Sequence, residues 1–310
     1  DALAVVQHVV TQNVDVAIGR VVYTLMLNGR GGIELDATVV RVATDRFTVI
    51  TPAAAHTKTI GMFRRACTGR AAACFDATAG LATLAVMGPR SRELLQRISP
   101  DDLSNEALPW GRAAEIEVGN GCVRCLRVSF VGELGFELYP PADMAVDLYD
   151  CLTAAGSDLD LRHAGYHALD SLRCEKGYRH VGHDIGPVDD PYQAALGYTV
   201  ALDKPGGFVG REAVAPKAGR VPDRRQVFVR LLDPQPLLLH GESIVSDGTI
   251  VGRITSGAYG HTLGAACGLG YIRGEVPAGT AFEVDCAGAM VPAEVSDTPF
   301  YDPGNSRLRS

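Results

Sequence analysis

Apolar residues recur along this chain with two periods, and the switches between them mark its elements. Val21–Leu27 and Ile33–Val42 are rich in branched and apolar residues and flank Asn28, Gly29, Arg30, Gly31 and Gly32, which predicts a β-hairpin. In its second strand Ile33, Leu35, Ala37 and Val39 share one face, and Glu34, Asp36 and Thr38 share the other. Ala2–Val10 reads as a helix, Phe47–Ile50 as a strand, and "TPAAAHTKTIGMFRRA" as a helix starting near Pro52. "LATLAVMG" reads as a buried strand and "GPRSRELLQRIS" as a helix with Pro89 in its first turn.

The alternating runs "AEIEVGNGCVRCLRVSF" and "GFELYPP" then predict further strands. Two helices follow, over Ala142–Ala155 and Arg162–Lys176, the second stopped by Gly177. From Gln226 the pattern becomes one of short strands with Asp-Gly and Ala-Gly turns, an all-β unit closed or nearly so. Ala215–Asp223, with its Pro and Lys residues, is the natural boundary. The expected division is a core over residues 1–217 and a β-barrel-like domain over 218–310.

Composition narrows the functions this α+β chain can serve. With 310 residues and 46% hydrophobic content it can bury a substantial core, and its net charge of −7 lacks the basic stripe of a nucleic-acid binder. Without a run of roughly 20 apolar residues, no membrane span is expected, and the chain is read as cytoplasmic, or mitochondrial matrix in a eukaryote. Eight scattered cysteines are expected as free thiols. The pair in "CVRC" lies three apart on a strand, so Cys122 and Cys125 face opposite sides and cannot easily chelate one ion.

Several motif searches return nothing. "GNGCVR" lacks the third glycine and the following helix of a dinucleotide fingerprint, and neither a phosphate-binding Walker sequence nor a G-x-S-x-G elbow occurs. His180, His183 and Asp184 in "RHVGHDI" could ligate a metal, but Gly182 interrupts any helix that would align the imidazoles, so no metal site is expected.

Taken together, "VVYTLMLNGRGGIELDATV", "VMGPRSRELLQRIS", "VSFVGELGFELYPP", "GYHALDSLRCEKGYRHVGHDIGPVDDPYQAALGYTVALDK", "FVGREAV", "GRITSGAYGHTLG" and "PFYDP" resemble, in order, the glycine-cleavage T-protein (aminomethyltransferase) family. "GGIELDATVVRV" and "GYRHVGHDIGPVDDP" look closest to the C-terminal tetrahydrofolate modules of sarcosine and dimethylglycine dehydrogenases. The resemblance implies a three-unit cloverleaf with tetrahydrofolate in its centre and a C-terminal β-barrel. It also implies one-carbon transfer that forms 5,10-methylenetetrahydrofolate from an amine- or iminium-borne methylene.

Read by itself, Asp36 is a polar residue near a turn. By the resemblance it falls on the carboxylate beside the reactive folate nitrogens, where it orients an amine and accepts a proton. Glu137 in "GFEL" lies opposite Phe136 and Leu138, and by the resemblance offers two oxygens to a pterin edge, with no protein partner that depends on its charge. Glu133, in the glycine-rich turn, reads as structural. Tyr23 and Phe130 match positions where aromatic rings flank the ligand, although strand aromatics alone read as core. Arg173 either closes a helix-surface ion pair with Asp170 or, among Arg162, His163, Lys176, Arg179 and His180, faces the anionic folate tail.

Against the family pattern, some N-terminal strands of the folate lobe are absent and the chain begins with Asp1, so an N-terminal truncation is expected. FAD would enter only through an upstream domain. The resemblance leaves the donor open between a lipoyl carrier protein and the iminium from flavin oxidation of an N-methylglycine. The alternatives are a non-catalytic folate-binding module, disfavoured because "EKGYRHVGHD" lacks the cysteine of related iron–sulfur assembly factors, and a structural lobe of a larger oxidoreductase.

Overall fold

In the computed structural model, which describes residues 1–274 and 279–310, helices and antiparallel sheets mix throughout, and the α+β expectation holds. In chain order the elements are α1 (Ala2–Val9), β1 (Val21–Leu27), β2 (Ile33–Ala43), β3 (Arg46–Ile50), α2 (His56–Cys67), β4 (Leu84–Met87) and α3 (Ser91–Gln96). There follow β5 (Ala113–Val118), β6 (Gly121–Leu126), β7 (Gly135–Tyr139), α4 (Ala145–Ala155), α5 (Tyr166–Lys176) and α6 (Arg211–Val214). The last are β8 (Arg224–Leu231), β9 (Ser243–Ser246), β10 (Thr249–Gly260), β11 (Ala265–Arg273), β12 (Phe282–Cys286) and β13 (Ala289–Ser296). Two compact units result, one from Asp1–Thr24, Ala37–Ala164 and Asn305–Ser310, the other from Leu25–Asp36 and Gly165–Gly304.

The first unit is built around the four-stranded sheet β4-β7-β6-β5, and it also holds β3 and the parts of β1 and β2 before Leu25 and after Asp36. One face of the larger sheet, with Ile116, Val123, Cys125, Phe136 and Leu138, packs on Leu94 and Leu95 of α3 and Leu148 and Leu152 of α4. The predicted buried strand over 81–88 is instead a short edge strand at Leu84–Met87, with Leu84 and Val86 turned to the core and Ala85 to solvent. Cys122 is exposed and Cys125 buried, as the strand alternation requires.

In the second unit six strands close a barrel in the order β10-β11-β8-β13-β12-β9. Alternate residues Val227, Val229 and Leu231 of β8 point inward to meet Ile244, Ile254, Ile272 and Val284. The helix predicted from Arg162 begins four residues later, at Tyr166, after Gly165 in an extended conformation. Its predicted stop holds: Gly177 takes φ +72°, and a Cβ there would lie 2.1 Å from the Phe228 ring.

The turn before β2 is fixed by one side chain. Asn28 Oδ1 accepts from the backbone N–H of Arg30 and Gly32 at 2.9 and 3.0 Å, and its amide donates to Glu34 Oε1 and to the Pro187 carbonyl. Gly31 takes φ +83°, and a Cβ on Gly32 would sit 1.9 Å from the Pro187 carbonyl oxygen. Ile33 N–H then donates to the Asp189 carbonyl at 2.9 Å, so the start of β2 is tied on both sides. This tie sets where Asp36, three residues on, presents its carboxylate.

Candidate active site

The sequence-derived candidates divide between the units: Tyr23, Phe130 and Glu137 lie in the first, Asp36 and Arg173 in the second. On β2 the expected alternation is present, with Ile33, Leu35, Ala37 and Val39 buried and Glu34, Asp36 and Thr38 only partly covered. Asp36 is thus a carboxylate on the polar side of a strand whose other side is core. Near it in the second unit is Tyr198, whose hydroxyl is raised by burial, lowered by Arg179 and raised by Asp36. Tyr198 is 70% exposed, so this rise marks a phenol with protein around it rather than one sealed from water. Tyr198 was not among the sequence candidates, because "GYTV" carries no local mark of proximity to Asp36.

Glu137 lies on β7, flanked by Ala85 of β4 and Leu126 of β6. Phe136 and Leu138 on either side are fully buried in the opposite face, as their spacing implied. The expectation that no protein group depends on its charge is corrected: Tyr139 donates its O–H to Glu137 Oε2 at 2.6 Å. Burial raises the Glu137 carboxyl above its ordinary value, and the Tyr139 bond acts against that rise. The signal for this pair was in the sequence, since residues two apart on a strand share a face.

Tyr23 is 37% exposed on β1 and is therefore not a core aromatic. Phe130 sits in the connection between β6 and β7 rather than in a strand, because β6 ends at Leu126 and the chain bends through Gly132 at φ +78°. Glu133, 17% exposed, lies 4.0 Å from Arg307, as a structural residue of that turn would.

Arg173 requires a correction. It does pair with Asp170, Nε to Oδ1 at 3.0 Å, but not at the helix surface. Its guanidinium is 4% exposed and also donates to Asp184 Oδ2 at 2.6 Å, the Tyr178 carbonyl at 3.2 Å and Ser256 Oγ at 2.9 Å. Asp184 in turn accepts from His180 N–H at 3.0 Å and Thr255 Oγ1 at 2.5 Å. Every nitrogen of Arg173 is committed within the protein, which leaves it tying α5 to β10 and the 178–184 segment rather than reaching for an anion.

The other cations grouped by sequence are dispersed. Arg162 pairs with Asp160, His163 hydrogen-bonds Tyr149 at 3.0 Å, and buried Lys176 donates to the Asp302 carbonyl at 2.5 Å. His180 lies against His183 with ring centroids 4.7 Å apart and planes tilted by 34°, and burial, His183 and Arg173 lower its pKa. Arg179 acts electrostatically on Tyr198, as Asp36 does. No set of three His, Cys, Asp or Glu residues that could hold a metal ion occurs among the described residues, and none of the described helices is long and apolar enough to cross a membrane.

Comparison with known proteins adds the following. The family model for the GCVT N-terminal domain matches residues 1–204, and that for the glycine cleavage T-protein C-terminal barrel domain matches residues 224–302. The chain is 54% identical over 309 residues to a 4-methylaminobutanoate oxidase (formaldehyde-forming) of Paenarthrobacter nicotinovorans, covering 100% of this chain and 38% of that protein. It is 33% identical to the mitochondrial sarcosine dehydrogenase of Mus musculus, with 94% of this chain and 34% of that protein covered. An aminomethyltransferase of Saccharopolyspora erythraea is 33% identical, with 92% of this chain and 78% of the relative aligned. The crystal structure of glycine cleavage system aminomethyltransferase T from Bartonella henselae superposes with a TM-score of 0.84 at 25% identity, over 97% of this chain and 81% of that one. The chain thus spans little more than a third of the oxidase and the dehydrogenase it matches.

Proposed function

Because this chain belongs to the glycine cleavage T-protein (aminomethyltransferase) family, we propose that it transfers a one-carbon unit from an N-methyl amine to tetrahydrofolate, forming 5,10-methylenetetrahydrofolate. The observation that carries this reading is two strand carboxylates, Asp36 on the face of β2 opposite Ile33, Leu35 and Ala37, and Glu137 on the face of β7 opposite Phe136 and Leu138. Residues 1–217 would form the folate-binding core and residues 218–310 its barrel. Tetrahydrofolate supplies two neighbouring amine nitrogens that can bridge a single methylene.

Each candidate is chemically suited to part of that group, Glu137, Tyr23 and Phe130 in the first unit and Asp36 in the second. Glu137 keeps acceptor capacity on Oε1 for the adjacent N–H donors of a pterin edge, and Tyr23 and Phe130 supply aromatic surface for its faces. Asp36 takes the proton released as a folate nitrogen bonds to the methylene, and its charge stabilises the cationic iminium carbon under attack. The second folate nitrogen would then displace the amine from the methylene, and the two protons given up by the folate nitrogens, one of them by way of Asp36, would leave on the amine as an ammonium ion, so the carboxylate is regenerated. Arg173 is assigned to holding the fold together rather than to the folate tail, for the reason its bonding gives.

The name of the 54% identical oxidase supports a methylamino donor over a lipoyl-borne one. In this reading an FAD domain of a longer protein oxidises the N-methyl group, and the present chain receives the iminium. Calorimetric titration with tetrahydrofolate, followed by methylene-transfer assays on the wild type and Asp36→Asn, tests it. Affinity should stay within a few-fold while transfer falls by about 10² or more. Unchanged transfer in the variant would remove Asp36 from catalysis, and failure to bind folate would remove the function.

A further inference from the structure

Two polar side chains on one face of β7 are bound to each other. The Tyr139 O–H to Glu137 Oε2 distance of 2.6 Å lies within the range of about 2.5–2.7 Å for a hydroxyl donating to an ionised carboxylate. Tyr139 is 8% exposed and packs with Val21, Val40 and Leu126, so its ring cannot turn away without opening that cluster. On the flanking strands Ala85 and Leu126 stand opposite Glu137 and offer its carboxylate no side-chain donor. The other titratable groups on this side of the sheet are Arg124, opposite Tyr139, with Glu115, Cys122 and Glu117 further along β6 and β5; the Arg124 guanidinium donates to Glu115 Oε1 at 2.8 Å and to Thr48 Oγ1 at 3.1 Å.

The electrostatics of the pair agree with its geometry. Burial works against the Glu137 anion, and Tyr139 is the group that works for it. Burial, with Glu137 adding to it, raises the Tyr139 hydroxyl far above its ordinary value, so the phenol stays a donor across the pH range of proteins. A protonated Glu137 would present an O–H where a pterin edge presents its own donors, and the contact would become repulsive.

We propose that Tyr139 is a positioning residue for ligand binding: its hydroxyl fixes the Glu137 carboxylate by Oε2 and keeps it ionised, so that Oε1 and the second lone pair of Oε2 meet the paired N–H donors of a pterin. This inference rests on the reading of Glu137 as the pterin acceptor. It adds that the acceptor is built by two residues, and that the pH at which folate is released is set by the second.

The test compares the wild type, Tyr139→Phe and Glu137→Gln. The Glu137 carboxyl is titrated by NMR in the unliganded, carboxyl-labelled protein, and affinity for 5-formyltetrahydrofolate is measured from pH 5 to 9. Tyr139→Phe should move the Glu137 titration upward, shift the acid limb of the affinity profile upward with it, and weaken binding at neutral pH by about 3- to 10-fold. Tyr139 acting merely as a packed ring would leave both profiles where they are, since Phe fills the same volume, and that result would overturn the proposal. If Glu137→Gln leaves affinity unchanged, the pterin reading fails. The carboxyl titration then still reports whether the two residues are coupled, and only the ligand role is lost.

Discussion

Asp184→Asn changes one oxygen for an amide at a site with no room for solvent, and its consequences can be worked from the bonding around Arg173. The wild-type carboxylate is 0% exposed and receives Arg173 Nη1, His180 N–H and Thr255 Oγ1. The variant keeps the shape but presents one acceptor and one donor group, so at least one of these three donors is left facing an N–H. It also strips the buried guanidinium of its shielded counter-charge, leaving Asp170, which is 51% exposed and a weaker partner in higher dielectric. Removing one member of a buried pair costs about 3–5 kcal/mol. For a cooperative unit of this size that corresponds to a fall of roughly 6–20 °C in melting temperature. Arg173→Met should cost a similar amount, and the double variant Arg173→Met/Asp184→Leu much less than the sum, because it strands no charge. Urea unfolding followed by far-UV circular dichroism gives the three values. A loss below about 1 kcal/mol for Asp184→Asn would refute the structural role of the pair. Loss of folate affinity at wild-type stability in an Arg173 variant would return that residue to the ligand site.

Gly32→Ala should destabilise by more than about 3 kcal/mol, visible as loss of soluble yield or a depressed melt, because its Cβ would meet the Pro187 carbonyl oxygen at 1.9 Å and neither backbone can yield without moving the start of β2. Glu137→Gln should raise the unliganded melting temperature at neutral pH while it weakens folate binding. A carboxyl whose folded pKa is raised contributes stability at low pH that is lost as pH rises through that pKa, so the gain should vanish on acidification. Lys204, 5% exposed, has its ammonium pKa pulled down to about 7 by burial, although the Phe208 ring 5.1 Å away favours the charged form. Its charge penalty is full below pH 7 and relieved as pH climbs toward the unfolded value, so Lys204→Met should gain more in melting temperature at pH 6 than at pH 9.

The local periodicities of this sequence settle the faces of its strands. Ile33–Val39 and Phe136–Leu138 alternate because successive strand side chains point oppositely whatever packs on them, and this alone puts Asp36 and Glu137 on the faces opposite those core residues. The stop at Gly177 is legible for the same reason, since a left-handed residue after a helix is a local demand. The family, too, is written in the order of the motifs, and the matches over residues 1–204 and 224–302 agree with it.

What the tertiary structure decided are the partners of charged and polar groups. Arg173 could be seen three residues from Asp170, but Ser256 lies 83 residues away and Asp184 is brought back by a turn that no periodicity announces. Lys176 finds Asp302 across 126 residues, and Tyr198 comes within electrostatic range of both Arg179 and Asp36, which lie in other segments. Neighbourhood in sequence therefore did not decide which carboxylate each cation meets, although Arg173 and His180 do share Asp184. A buried charge is stabilised only by groups that close around it in three dimensions, and the identity of those groups is a property of the packed chain rather than of any window along it.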